Sequence, residues 1–149
     1  YNNLVEIGGY HYDSDELNFA SEISHSLGDS SLDLSYSKGI VPYTEETKAY
    51  GSTDVGDVSF IVPTVGMSAA TWVPGTPAHS WQAVAAGGTS IGIKGMMIAA
   101  KTLTATAIEL FSNTKIIVEA THEFQLKRGE NFQYKPLLGN RKPALNYRN

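Results

Sequence analysis

The stretch that decides the predicted fold class is TVGMSAATW, residues 64–72, which is bounded by Pro63 and Pro74. It is rich in small and β-favouring residues, and the two prolines interrupt regular structure on either side. This pattern predicts a buried strand. The residues that follow, VPGTPA at 73–78, contain two prolines within four positions and therefore predict an irregular loop.

The predicted strand lies in a long region that carries no formal charge. No Asp, Glu, Lys or Arg occurs between Asp57 and Lys94, whereas most acidic residues precede this region and most basic residues follow it. The region also contains both tryptophans and many small residues, a composition that is not typical of a solvent-facing surface. We therefore expect it to lie inside the protein and to line a cleft.

Apolar residues recur at helical spacing in three other segments. The first covers residues 13–27, with Asp13 or Ser14 as its N-cap and Gly28 after its end. The second and longest covers about residues 90–111, and its predicted buried face consists of Ile93, Met97, Ala100, Leu103, Ala107 and Leu110. The third covers residues 114–128 and ends before Gly129.

Between the first two helices, residues 30–50 are rich in turn formers and predict loops with a short strand at residues 39–42. Strands mixed with long helices predict an α/β layered arrangement. Too few strands are visible for a complete domain of this kind. We therefore expect the chain to contribute about half of such a fold.

Composition excludes several classes of protein. The chain has no cysteine, so it contains neither a disulfide nor a thiolate metal site, as suits a cytoplasmic protein. Its net charge of -4 gives no general attraction for nucleic acid or for an anionic membrane. Residues 83–100, the most apolar stretch, are interrupted by four glycines and Lys94, so no continuous spanning helix is predicted there and a soluble protein is expected.

His79 follows the proline-containing loop and is the only histidine in the uncharged region. A neutral imidazole on a rigid loop after a strand is a common way to place a metal ligand or a general base in a cleft. The alternative is a structural histidine, partly buried and hydrogen-bonded beside aromatic residues. Spacing alone favours this alternative.

The motif GSTDVGDVS at 51–59 places two carboxylates, Asp54 and Asp57, three residues apart. The hydroxyl groups before them can cap a short helix, and acidic residues are favourable in its first turn. A carboxylate at this place can instead orient a metal-bound histidine through a hydrogen bond. The residues alone leave both interpretations open.

Two other motifs fail on their spacing. His122 and Glu123 begin a zinc-protease helix motif, but Leu126 stands where the second histidine is required. The glycine-rich stretch AGGTSIGIK at 86–94 lacks the adjacent Gly and Lys of a phosphate-binding loop. We therefore predict neither a helical zinc-protease site nor a nucleotide site.

Three motifs follow one another along the chain: GSTDVGDVS at 51–59, VPT at 62–64 and PGTPAHSWQ at 74–82. Together they resemble the aminobenzoyl-glutamate utilization protein B-like amidohydrolases, which are members of the aminoacylase and carboxypeptidase superfamily of co-catalytic metallopeptidases. The resemblance continues to about Phe111, and more weakly from Tyr12 to Leu27.

This resemblance implies that the chain is the C-terminal part of an α/β/α metallopeptidase catalytic domain with a mixed sheet. Residues 1–12 would be the exit from an absent lid or dimerisation domain, and residues 13–149 would belong to the catalytic domain. His79 would be the last metal ligand, and Asp54 would support it, with Asp57 as a weaker candidate. The cofactors would be two divalent ions, zinc or manganese, whose other ligands lie with the general base in the missing part.

The implied substrate is an N-acyl amino acid such as aminobenzoyl-glutamate, or a dipeptide, cleaved at its amide bond by metal-activated water. The full-length protein is expected to be a cytoplasmic homodimer without a nucleic-acid or membrane partner, and this fragment alone is expected to be inactive. Two alternatives remain open, a self-contained α/β binding module and a relative that has lost catalysis. In both of them His79 is structural.

Overall fold

The computed structural model describes residues 1–28, 33–44, 53–129 and 131–146. The chain divides into two compact units. The first unit comprises Tyr1–Thr47 and Gly66–Ser112, and the second comprises Lys48–Val65 and Asn113–Asn149. His79 therefore belongs to the first unit and Asp54 to the second.

Helices provide all the regular secondary structure of the described residues. In chain order these are α1 (Asn2–Ile7), α2 (Ser14–Ser26), a 3₁₀ helix (Leu34–Lys38), α3 (Val55–Ser59), α4 (Trp81–Gly87), α5 (Ser90–Ser112) and α6 (Thr114–Arg128). The three helical segments predicted from apolar spacing are confirmed as α2, α5 and α6.

The predicted α/β fold with a mixed sheet is wrong, because the described residues contain no strand. Residues 66–71 are irregular and lie beside Tyr10, whose hydroxyl accepts a hydrogen bond from Ala70 N at 2.8 Å. A β-favouring segment becomes a strand only when a neighbouring strand supplies backbone partners. No described residue does so here.

The short strand expected at residues 39–42 is also absent from the described range 33–44. Residues 39–42 are irregular and follow a 3₁₀ helix at Leu34–Lys38. The Asp33 side chain caps this helix by accepting from Ser35 N at 2.7 Å. The rest of the segment predicted to form loops, residues 30–32 and 45–50, lies outside the described residues.

The start of α2 is fixed by a reciprocal pair of hydrogen bonds. Asp13 Oδ1 accepts from Glu16 N at 2.9 Å, and Asp13 N donates to Glu16 Oε2 at 2.8 Å. This capping box satisfies two backbone donors that the first helical turn leaves free. The sequence placed the cap at Asp13 or Ser14, and the structure selects Asp13.

The first unit has a small core built from apolar residues of several elements. Its buried members are Ala20, Ile23, Leu34, Val73, Ala86 and Ile91. Helix α5 contacts both α1 and α4, and α2 contacts the 3₁₀ helix. The core thus joins α2, α4 and the beginning of α5 to the loop at Val73.

The buried face of α5 is not the predicted one. Leu103 on the predicted face is 59% exposed, and Ile93 and Met97 are exposed as well. The buried residues of α5 are Ile91, Gly92, Gly95 and Thr102. Small residues allow neighbouring backbone to approach closely, which explains why this face packs in place of the bulkier one.

Helix α5 is also the one helix of the described residues that is long and apolar enough to cross a membrane, by length and composition alone. Its best window has a mean hydropathy of 1.2, and 22% of that window is buried. Residues 83–100 do not form one continuous helix, because α4 ends at Gly87 and α5 begins at Ser90. Gly92, Lys94 and Gly95, which were also expected to interrupt this stretch, lie inside α5 and do not break it.

The second unit contains α3 and α6. Phe60, which follows α3, stacks on Phe132 and on Tyr134, with ring centroids 5.4 and 5.7 Å apart respectively. The Tyr134 hydroxyl donates a hydrogen bond to Asp57 Oδ1. These aromatic contacts attach the segment after α6 to the short helix α3.

Candidate functional site

The sequence-predicted ligand His79 lies in the loop directly before α4. Its backbone adopts φ 62, which makes it the only non-glycine residue with positive φ in the described part of the chain. This left-handed conformation costs roughly 1–2 kcal/mol for a residue that carries a Cβ. The left-handed backbone conformation of His79 therefore depends on stabilising contacts in the surrounding loop.

The loop around His79 is held at both ends. On one side Val73 is buried, and its carbonyl accepts from Thr76 N at 3.2 Å. On the other side Ser80 Oγ accepts from Ala83 N at 3.2 Å and donates to the Pro77 carbonyl at 2.8 Å. Ser80 is thus the N-cap of α4 and fixes the loop to that helix.

The His79 side chain is exposed and faces an open cavity of about 650 Å³. The described residues show no hydrogen bond to its imidazole. The cavity is lined by Trp72, Ala78, His79, Ser80, Trp81, Ala83 and Val84. An exposed imidazole without a hydrogen bond differs from the partly buried, hydrogen-bonded structural histidine that was the alternative interpretation.

The uncharged region from which this cavity is built is only partly interior. Val73 and Ala86 are buried, but Trp81 is 63% exposed and Val84 is also exposed. The expectation that the whole region lies inside is therefore wrong. What it provides is an apolar surface beside His79 that is open to solvent.

The two acidic candidates lie in the second unit. Asp54 precedes α3, is exposed, and its side chain makes no capping hydrogen bond. Asp57 is in the first turn of α3 and accepts from Tyr134, whose pKa is raised chiefly by this hydrogen bond. Gly51 and Ser52, which begin the same motif, lie outside the described residues.

No single unit contains both His79 and the acidic candidates. Among the described residues, no group of three or more His, Cys, Asp or Glu side chains is placed to hold a metal ion. An exposed imidazole fits one coordination position of a zinc or manganese ion. The described residues thus form no complete metal site around His79, and such a site needs further ligands.

Sequence reasoning missed a buried ionic cluster in the first unit. The Glu16 carboxylate accepts from Lys94 Nζ at 2.6 Å and from Ser90 Oγ at 2.5 Å. Lys94 Nζ also donates to the His11 carbonyl at 2.8 Å and lies 5.7 Å from the centre of the Tyr12 ring. Two signals pointed to this cluster, the capping-box spacing of Asp13 and Glu16 and the isolated charge of Lys94.

One curated hydrolase is similar to part of this chain. The chain is similar to one of the subunits of p-aminobenzoyl-glutamate hydrolase of Escherichia coli (strain K12), with 41% identity over 87 residues. The resemblance derived from the three motifs is thereby confirmed. No protein-family model and no solved structure matches the chain.

The match covers 58% of this chain and 18% of the Escherichia coli protein. The chain therefore spans less than a fifth of the length of this relative.

Proposed function

We propose that this chain is part of a metal-dependent amidohydrolase that cleaves the amide bond of N-acyl amino acids such as aminobenzoyl-glutamate, with His79 as one metal ligand. The observation that carries the proposal is the exposed imidazole of His79, which lies at the edge of an open cavity. The backbone of His79 itself has the left-handed conformation. The name of the Escherichia coli relative supports the reaction and the substrate class.

In this proposal the role of His79 is to present a neutral imidazole nitrogen in a fixed direction. The hydrogen bonds of Ser80 and the buried Val73 limit the motion of the loop, so the ligand is positioned before the metal binds. His79 would hold one of two divalent ions, zinc or manganese, which would activate water and polarise the amide carbonyl. The remaining ligands and the general base come from other parts of the protein.

Asp54 is the proposed supporting residue for the ligand, and Asp57 is a weaker candidate. Asp54 is exposed, and its side chain makes no capping hydrogen bond. Asp57 already accepts from Tyr134.

Homodimerisation and a cytoplasmic location of the full-length protein remain predictions.

The test of the proposal is the substitution His79→Asn in the full-length protein. Asparagine tolerates the left-handed backbone better than most residues, so this change removes the imidazole with little added strain. We expect hydrolysis of aminobenzoyl-glutamate to fall at least about 100-fold, with a parallel loss of bound zinc or manganese. Activity is measured by release of glutamate, and metal content by elemental analysis.

The matched control is His25→Asn at the exposed end of α2, which should leave activity and metal content unchanged. Wild-type turnover and metal content in the His79→Asn protein would show that this histidine is structural. The assignment of His79 as a metal ligand would then be wrong, whereas a wild-type full-length protein that neither hydrolyses the substrate nor binds metal would favour a binding module or an inactive relative.

A further inference from the structure

We infer that the cavity beside His79 binds the aryl group of the substrate, and that the Trp81 indole is the surface on which this ring stacks. This inference rests on the proposed function, because it assigns one half of the N-aroyl amino acid to a place next to the proposed metal ligand. It adds the orientation of the substrate and a residue that determines specificity.

Trp81 is exposed for a local reason. It is the first residue of α4, directly after the N-cap Ser80, while Ala83 and Ala86 of the same helix are buried in the core of the unit. The helix therefore directs its packed face inward and leaves the indole on the cavity side. A large aromatic side chain that is 63% exposed beside a candidate catalytic group is typical of a ligand contact.

The second indole, that of Trp72, lies against the other end of the same helix. A Cβ atom built on Gly87 would lie 3.7 Å from Trp72 Nε1, so the Trp72 ring lies against the last residue of α4. Trp72 is 37% exposed and lines the same cavity. Trp81 thus belongs to the short helix against which Trp72 lies, and both side chains line the cavity.

The charge of the cavity decides which half of the substrate it accepts. None of the described residues that line the cavity carries a carboxylate, an ammonium or a guanidinium group. The two carboxylates of a glutamate residue need cationic or N–H partners when they leave water. An uncharged aromatic ring needs none, and a cavity of about 650 Å³ has ample room for it.

The test compares two substrates in the full-length enzyme. Trp81→Ala should raise KM for aminobenzoyl-glutamate about 10-fold, with kcat little changed, because a stacking surface binds substrate and transition state alike. KM for N-acetylglutamate, which lacks the ring, should change less than about twofold. Trp81→Phe should restore most of the affinity for the aryl substrate.

A binding measurement keeps the test independent of turnover. Calorimetry with 4-aminobenzamide, a neutral mimic of the acyl half, should show binding to the wild type that weakens about 10-fold in Trp81→Ala. Val84→Asp, which adds a charge to the same wall on an exposed helix position, should weaken it as well. Tyr36→Ala, another exposed aromatic of this unit, serves as the control and should change neither measurement.

The possible failures are distinct. Equal losses on both substrates, or unchanged 4-aminobenzamide binding in Trp81→Ala, would overturn the aryl site and leave the proposed function intact. If the wild type hydrolyses neither substrate, the proposed function fails. The calorimetry then still decides whether the cavity binds an aromatic ring through Trp81.

Discussion

Glu16 combines several roles in the first unit. It completes the capping box of α2 and accepts hydrogen bonds from Ser90 and Lys94 of α5. The residue is 5% exposed. Burial raises the pKa of its carboxyl, but the hydrogen bonds from Lys94, Ser90 and the Asp13 amide outweigh this effect and hold the pKa below its ordinary value.

We predict that Glu16→Gln lowers the free energy of unfolding by roughly 1–3 kcal/mol at neutral pH, because a charged acceptor with several donors is lost. Chemical denaturation followed by circular dichroism measures this. Glu22→Gln on the exposed side of α2 is the control and should stay within about 0.5 kcal/mol of the wild type.

The same substitution has a consequence for pH dependence. The folded chain holds the pKa of Glu16 below the ordinary value of 4.5, so the unfolded chain binds this proton more readily. Its stabilisation is therefore complete above that value and is lost as the pH falls through the lower, folded pKa. Glu16→Gln should flatten the loss of stability below about pH 4.5, and an unchanged acid profile would contradict the assignment.

At the scale of elements, the contact between α5 and residues 70–71 shows what replaces the predicted sheet. A Cβ atom on Gly95 would lie 2.2 Å from the Ala70 carbonyl oxygen and 2.8 Å from Thr71 Cγ2. Gly92 is equally restricted, since a Cβ there would lie 2.3 Å from the Gly87 carbonyl oxygen. The beginning of α5 thus packs on irregular backbone and on the end of α4.

We predict that Gly95→Ala destabilises the chain by roughly 1–3 kcal/mol, because the new methyl group meets backbone atoms that cannot move aside. Intrinsic helix propensity acts in the opposite direction by about 1 kcal/mol. Gly56→Ala in α3, where the structure shows open space, isolates that propensity effect and should be neutral or slightly stabilising. Thermal unfolding of both variants provides the comparison, and a stabilised Gly95→Ala would refute the close contact.

Helix α6 illustrates the limit of periodicity. Its bounds, Thr114–Arg128, were predicted correctly, and Asn113 caps it by accepting from Lys115 N at 3.2 Å. None of its residues is buried, however, and Ile117 is exposed. Capping and spacing are local properties, whereas burial requires a partner surface.

At the scale of the whole molecule, large apolar side chains are exposed in both units. Examples are Leu103 and Ile108 in the first unit and Leu126 and Leu137 in the second. Exposed apolar surface of this extent is typical of an interaction surface. It supports the proposal that further polypeptide belongs with this chain, which spans 18% of the length of its relative.

We therefore predict that this chain alone does not hydrolyse aminobenzoyl-glutamate, whereas the full-length protein does. One imidazole is a weak ligand, so zinc or manganese should bind the isolated chain only weakly. Parallel assays of both proteins with calorimetric metal titrations test this. Hydrolysis by the isolated chain would contradict the prediction, because the general base and the other metal ligands are expected elsewhere.

The sequence by itself determined the three main helices, α2, α5 and α6, and the irregular loop that precedes His79. Each depends on apolar spacing, caps, glycines or prolines within a few residues of one another. Only the tertiary structure decided that residues 66–71 do not pair as a strand, that α5 packs through Gly92 and Gly95, and that Glu16 binds Lys94. These features depend on partners distant in sequence, and local pattern does not encode which surfaces meet.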